Sequence, residues 1–154
     1  MANTPEANDP ASAPCLLSEM ADNPYSGFAA PDEVRAFLTN LQHAEHLLLR
    51  ITEEVNASMP PPLPESVHAG LADSCARLRL WLGDHEGTAA RPCRTRAPER
   101  LKRLCLRGHA RAARAITAFL PRIADDRLHG DLRRLRDGHH AAARALAPLV
   151  QQGR

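Results

Sequence analysis

The sequence is poor in aromatic residues and in long apolar segments. Aromatics make up 3% of the 154 residues, so few rings are present for base stacking. No stretch is long and apolar enough to cross a bilayer. The N-terminal segment MANTPEANDPASAP lacks the basic and apolar parts of a secretory signal. We therefore expect a cytoplasmic protein without a membrane partner.

Paired cysteine motifs are also absent. The four cysteines, Cys15, Cys75, Cys93 and Cys105, form no Cys-x-x-Cys pair, so neither a zinc ribbon nor a thioredoxin-like site is predicted. In a reducing cytoplasm they should remain free thiols, and free cysteines are commonly small core residues.

Charge is distributed unevenly along the chain. Residues 1–90 carry four Arg against thirteen Asp or Glu, a net charge of −9, whereas residues 91–154 carry fifteen Arg and one Lys against five acids, a net charge of +11. Five arginines recur at helical steps of three and four, namely Arg100, Arg103, Arg107, Arg111 and Arg114. This stripe is either an anion- or nucleic-acid-binding face or a solvated face. In the second case it could also pair with acidic residues such as Asp32, Glu53, Glu54 and Asp73. We favour the second alternative because aromatics are scarce, although nucleic acid stays open as a partner.

Apolar residues at steps of three and four predict four helices. They begin near Pro31, Glu65, Pro98 and Asp125 or Asp126, and end at the proline run 59–64, near Gly83, at Leu120 and near Ala147, where Pro148 follows. Residues 1–30 are rich in Pro, Ala, Ser, Asn and Asp and are predicted to form an irregular leader. Short to medium connections favour an all-α, up-down-up-down four-helix bundle over residues 31–154.

Polar residues interrupt the apolar seams of this bundle. His139 continues the series Leu128, Leu132, Leu135 in the fourth helix, and Glu45 lies in the seam of the first. The corresponding layer of the third helix holds Cys105, Gly108 or His109. A buried carboxylate without a partner is costly, so we expect Glu45 and His139 to form a hydrogen-bonded polar layer.

Two alternatives to the polar layer remain. Carboxylate and imidazole are the ligands of di-iron bundles, so Glu45 and His139, with His43 or His109, could bind iron, manganese or zinc. Cys75 or Cys105 could add a further ligand. A one-residue error in the assigned periodicity would instead leave these side chains on the surface.

Two segments resemble a known family. PYSGFAAPDEVRAFLTNLQHAEH (24–46) and LPRIADDRLHGDLRRLRDGHHAAARAL (120–146) resemble an uncharacterised family of small bacterial ferritin-like bundle proteins, a domain of unknown function. Its members carry a Glu-Ala-Glu-Arg-like segment, an Asp-Glu-Ala segment, and a Leu-Pro-Arg-Ile-x-Asp-Asp-x-Leu-His segment before the last helix. The resemblance covers about residues 15–147 and implies a ferritin-like fold.

The resemblance also implies a reduced set of ligands. Glu45 matches the second Glu of the family's first helix, and His139 matches a His of the last helix. His43, Ser74 and His140, however, stand where acidic residues are usual. These departures argue against oxidase or iron-storage chemistry.

Three functions follow as expectations. The first is a non-catalytic binding or stress-accessory module. The second is a metal-binding or redox protein that uses the reduced core site. The third is an anion or nucleic-acid binder that uses the arginine stripe. A homodimer is a candidate assembly because ferritin-like bundles often dimerise.

Overall fold

The computed structural model of the chain describes residues 27–58, 62–83 and 97–151. Within these ranges the protein is all-helical and contains no strand. The helices are α1 (Pro31–Ser58), α2 (Glu65–Leu82), α3 (Pro98–Phe119) and α4 (Asp126–Gln151), with a short 3-10 turn (Leu120–Arg122) between α3 and α4. Nearly all of the predicted leader lies outside the described residues. No helix in the described ranges combines the length and apolar character needed to span a membrane.

The helices begin where proline and acidic residues predict. Pro31 and Pro98 are the first residues of α1 and α3, where the missing N–H costs no helical bond. The Ala30 N–H donates to the Glu33 side chain at the start of α1 (3.0 Å), and the Leu128 N–H donates to Asp125 at the start of α4 (2.8 Å). These bonds satisfy backbone donors that a helix start leaves open, which identifies Asp125 as the cap of α4.

The end of α4 differs from the prediction. The sequence predicts that Pro148 ends the regular part of the helix, but α4 continues through it to Gln151. A proline in a helix removes one backbone hydrogen bond and crowds the preceding turn. Leu149 packs against the core one residue later, and this burial favours continuation of the helix.

Contacts between the helices fix their directions. The Leu63 N–H donates to Asn56 (2.7 Å), which brings the start of α2 to the end of α1. The Phe37 and Phe119 rings stack with centroids 4.0 Å apart, which brings the end of α3 to the start of α1. Both α2 and α3 therefore run antiparallel to α1 and in the same direction as each other.

The order of directions is thus up-down-down-up, which corrects the predicted up-down-up-down order. The prediction assumes that consecutive helices are neighbours, but the described residues of α2 and α3 make no close backbone contact. A helix of 18 residues is roughly 27 Å long. The chain from Gly83 to Ala97 can extend up to roughly 45 Å, so it is long enough to return along the whole bundle.

The core consists of two apolar clusters with polar residues between them. One cluster joins residues from all four helices near the start of α1, including Leu38, Leu78, Ile116 and Leu132. The second surrounds the other end of α1 and includes Leu48, Val55, Leu71, Leu101 and Leu146. The buried polar residues Gln42, Glu45, Thr52, Ser74, His109 and His139 lie along the same helices. The site described next is formed from this group.

Candidate functional site

Three ionisable side chains from three helices meet in the core. Glu45 of α1 is 0% exposed, His109 of α3 is 1% exposed and His139 of α4 is 3% exposed. Nε2 of His139 lies 2.5 Å from Oε1 of Glu45, and Nδ1 of His139 lies 2.9 Å from Nδ1 of His109. They form a continuous Glu45–His139–His109 chain of hydrogen bonds, which we call the buried triad.

The sequence pattern explains why the triad is in the core. Glu45 and His139 occupy seam positions of amphipathic helices whose neighbouring seam residues are buried leucines. The predicted polar layer of Glu45 and His139 is therefore found as a direct hydrogen bond. His109 is one of three candidates for this layer in α3, and it supplies the third member.

The proton positions in the triad follow from its hydrogen bonds. With Glu45 ionised, the His139 Nε2–H donates to the carboxylate, and the His139 Nδ1 accepts from the His109 Nδ1–H. The Nε2 of His109 is then a bare acceptor. If His139 instead carries both protons, His109 accepts at Nδ1 and presents an N–H at Nε2. The free end of the triad is thus Nε2 of His109 in both arrangements.

Several polar atoms in this layer have no partner among the described residues. They are Nε2 of His109, Oε2 of Glu45 and Nε2 of Gln42. Buried polar atoms of this kind are uncommon because each costs roughly 1–3 kcal/mol when left unsatisfied. A bound molecule that forms a hydrogen bond with such an atom would remove this cost and so stabilise the folded protein.

Burial and charge shift two pKa values near the triad. Burial lowers the pKa of His109 to about 4, and the neighbouring His139 contributes to this decrease, so His109 is neutral at pH 7. Burial, reinforced by the negative charge of Glu45, raises the pKa of the Cys75 thiol to about 11. Cys75 and Cys105 are free and buried, and Cys15 and Cys93 lie outside the described residues. A protonated buried thiol such as Cys75 is a poor nucleophile.

A cavity of about 320 Å³ opens beside the triad, between α2 and α4. His109 and His139 line it, together with the buried apolar side chains of Val67, Leu71 and Leu135 and the buried hydroxyl of Ser74. The free Nε2 of His109 therefore belongs to a side chain that forms part of the cavity wall. The remaining wall comes from Ser66, Gly70, Asp73, Arg77, Arg134, Gly138, Ala141 and Ala142.

Two glycines line this cavity. Gly70 in α2 and Gly138 in α4 both line it, and a Cβ added at either position would meet no atom within 4 Å. Glycine in a helix costs roughly 1 kcal/mol relative to alanine, so neither residue favours its helix. The helices that carry them, α2 and α4, pack less closely against each other than α3 and α4 do.

Ion pairs link the two helices at the rim of the cavity. Arg77 of α2 contacts Asp73 (2.7 Å) and Asp131 of α4 (3.6 Å). Asp131 also binds Arg134 (3.0 Å) and accepts a hydrogen bond from the Trp81 indole N–H (3.0 Å). Asp131 therefore connects α2 to α4 through Arg77 and Trp81, and the charges at the rim are largely compensated.

The predicted metal ligands are only partly brought together. Glu45, His139 and His109 meet, but His43 is exposed on α1. Both ring nitrogens of His139 are occupied by the other two members of the triad, so the three side chains do not direct free electron pairs at one point. Across residues 27–58, 62–83 and 97–151, no group of three or more His, Cys, Asp or Glu side chains could hold a metal ion. The residues do not fit iron, manganese or zinc in this arrangement, and the metal site stays a prediction.

Sequence reasoning overlooked one ligand-like segment. Glu65-Ser66-Val67-His68 has the Glu-x-x-His spacing of bundle-core metal sites. In the structure it opens α2, where Glu65 is exposed and His68 lies 3.7 Å from Glu53. Glu65 and His68 are therefore not part of the triad, and His68 lies beside Glu53 of α1 instead.

The arginine stripe lies on the solvent side of α3. Its five members, Arg100, Arg103, Arg107, Arg111 and Arg114, are all exposed. None of them forms an ion pair with an acidic side chain in the described part of the chain. Asp73 pairs with Arg77 instead, and Glu53 lies near His68, so the expected pairing of these acids with the stripe is not found.

Comparisons of the chain with models of protein families, with curated proteins and with solved structures found no match.

Proposed function

We propose that the protein is a non-catalytic binding module that holds a small molecule in the cavity between α2 and α4. We further propose that its four helices form a ferritin-like bundle. The up-down-down-up order of the described helices, which is also the order in that fold, supports this arrangement. The fold alone carries no function, so the proposal depends on the cavity.

The observation that carries the proposal is the unpaired Nε2 of His109. The side chain is almost fully buried, it lines the cavity, and its other ring nitrogen is fixed by His139. Ligand sites are typically concave and mostly apolar, with a few fixed polar groups that orient the ligand. The cavity combines apolar walls from Val67, Leu71 and Leu135 with buried polar groups of His109 and Ser74 and with charged side chains at its rim.

The size of the cavity suits a small organic molecule. An apolar cavity of about 150 Å³ in a helical protein admits benzene. The cavity here, at about 320 Å³, is roughly twice as large. It can therefore accept a substituted aromatic ring or a branched aliphatic chain of similar volume.

The proposal is tested by filling the cavity from both sides. A Gly70→Leu/Gly138→Leu double variant would place two side chains in the open space, and Gly130→Leu is the matched control. Gly130 lies in α4, a Cβ added there would likewise meet no atom within 4 Å, and the residue does not line the cavity. Ligand-observed NMR with toluene, p-cresol and indole should show binding to the native protein and to the control, and none to the double variant. Equal binding to all three proteins would contradict the proposal.

The exposed arginine stripe favours a second candidate function, the binding of polyanions. Five guanidinium groups without acidic partners in the described residues form an extended basic face. If all five contact phosphates, the logarithm of the affinity for duplex DNA should fall with the logarithm of salt concentration with a slope of about −4 to −5. Arg103→Glu/Arg107→Glu/Arg111→Glu should abolish this binding, whereas Arg144→Glu on α4 should retain most of it. Absence of binding at low salt would exclude this candidate.

A further inference from the structure

We infer that the molecule held beside the triad is uncharged and carries a hydroxyl group that hydrogen-bonds to Nε2 of His109. The inference rests on the proposed function of the cavity and specifies the class of ligand. Three features of the site support it: the chemistry of the His109 end, the charges at the rim, and the apolar walls.

The ligand group that contacts Nε2 of His109 must be able both to donate and to accept a hydrogen bond. Its Nε2 is an acceptor when His139 is neutral and a donor when His139 carries both protons. A hydroxyl oxygen can serve either arrangement because it has one proton and two lone pairs. An aliphatic ligand without a polar group would leave Nε2 of His109 without a hydrogen-bond partner. Among the described residues this atom has no partner.

Charge compensation argues against an ionic ligand at this position. The two arginines of the rim are engaged by Asp73 and Asp131, so the rim presents no excess positive charge. At the other end of the triad, Glu45 carries a buried carboxylate on the far side of His139. A carboxylate on the ligand would be buried here without an excess positive charge beside it, whichever proton arrangement the triad adopts, and this costs more than burying a hydroxyl.

The other groups around the triad do not supply a counter-charge. From α2, Cys75 is held protonated by the rise of its pKa, and Ser74 is uncharged. From α3, Cys105 is likewise protonated because burial raises its pKa. On α1, burial and the charge of Arg79 lower the pKa of His46, which favours its neutral form.

The apolar walls accommodate the body of the ligand. Val67 and Leu71 of α2 face Leu135 and Ala142 of α4 across the cavity. Their side chains provide no hydrogen bond, so they bind a ring or alkyl group by excluding water. These walls suit the apolar body of a molecule whose hydroxyl group binds His109.

Three compounds of nearly equal shape test the inference at pH 8. They are p-cresol, with a hydroxyl group, p-xylene, with a methyl group in its place, and p-toluate, with a carboxylate. Isothermal titration calorimetry should give a Kd for p-cresol about tenfold below that for p-xylene, since one hydrogen bond is worth roughly that factor. The Kd for p-toluate should be the highest of the three.

Removal of the imidazole isolates the hydrogen bond. In His109→Leu the advantage of p-cresol over p-xylene should disappear, while the Kd for p-xylene should stay within about threefold of the native value. A second readout covers the case in which this variant does not fold. In native protein labelled with ¹⁵N in histidine, p-cresol should shift the His109 Nε2 resonance and p-xylene should leave it unchanged; His109→Gln identifies that resonance.

The outcomes separate the inference from the proposed function. Equal affinities for p-cresol and p-xylene, or tightest binding of p-toluate, would overturn the hydroxyl ligand while leaving the cavity as a binding site. Failure of all three compounds to bind would overturn both. Loss of p-xylene binding in the Gly70→Leu/Gly138→Leu variant, with retention in Gly130→Leu, would place the compounds in this cavity.

Discussion

Glycine has different surroundings at two helix interfaces of this protein. Between α1 and α3, a Cβ at Gly108 would overlap the buried side chain of Leu48, so glycine there permits close approach. Between α2 and α4, Gly70 and Gly138 face open space instead. The same residue type thus permits close packing at one interface and lines a cavity at the other. A glycine in a helix must therefore be judged by what its missing side chain would meet.

Removal of Glu45 should have the largest effect on the closed interface. Glu45→Ala would leave His139 without its carboxylate partner and create a void in the core. We expect a loss of about 3–5 kcal/mol in the free energy of unfolding, measured by urea denaturation. Glu54→Ala on the same helix is the control and should change stability by less than about 0.5 kcal/mol. A cost for Glu45→Ala equal to that of the control would show that the triad contributes nothing to stability.

The pH dependence of the free energy of unfolding should reveal the lowered pKa of His109 at the buried end of the triad. The pKa of His109 is lowered to about 4 in the folded protein, below its ordinary value of 6.5, so the unfolded chain binds more protons. Its contribution is therefore fully present above pH 6.5 and is lost as pH falls towards 4. This loss should be on the order of 3 kcal/mol.

Two variants isolate this contribution. In His109→Leu the free energy of unfolding should fall less steeply between pH 6.5 and 4 than in the native protein. In His43→Leu, which alters an exposed histidine of α1, the slope should match the native one. Parallel slopes for all three proteins would show that His109 titrates normally in the folded state.

Glycine-to-alanine substitutions should change stability in opposite directions at the two interfaces, lowering it between α1 and α3 and raising it between α2 and α4. Gly108→Ala gains roughly 1 kcal/mol of helix propensity but forces Leu48 to move, and overpacking costs about 1–3 kcal/mol. We expect a net destabilisation of about 1 kcal/mol, seen as a lower thermal midpoint. Stabilisation by this substitution would mean that α1 and α3 can separate freely at Gly108.

The smallest effect on stability is expected between α2 and α4, where Gly138 lies. Gly138→Ala meets no atom, so only the helix propensity changes, and the protein should gain up to about 1 kcal/mol. Gly130→Ala should give a similar gain by the same measurement. A clear loss of stability in Gly138→Ala would show that the space beside it is already filled by another part of the protein.

The sequence predicted the helices and the central contact of the site because both depend on local pattern. Proline and acidic residues marked the helix starts, and the spacing of apolar residues put Glu45 and His139 in facing seams. His109 could not be distinguished from Cys105 and Gly108 as the polar-layer residue of α3, because the three lie within five consecutive residues. Only the packing of α3 against α4 selects among them.

The helix directions and the cavity could not be predicted in the same way. Direction depends on contacts such as Phe37 with Phe119, whose partners are far apart in the chain. The cavity is lined by residues of α2 and α4, such as Gly70 and Gly138, which are far apart in the chain and which no local pattern relates to each other. The predicted pairing of the arginine stripe with acidic residues is not found for a related reason. The total charge of a segment does not specify which helix faces contact each other.

The most direct test of the ligand site is a calorimetric titration of p-cresol into the native protein, the Gly70→Leu/Gly138→Leu variant and the Gly130→Leu control. We predict saturable binding to the native protein and the control, and none to a folded double variant. Binding of equal strength to all three proteins, or to none of them, would contradict the claim that the cavity beside His109 is a ligand site.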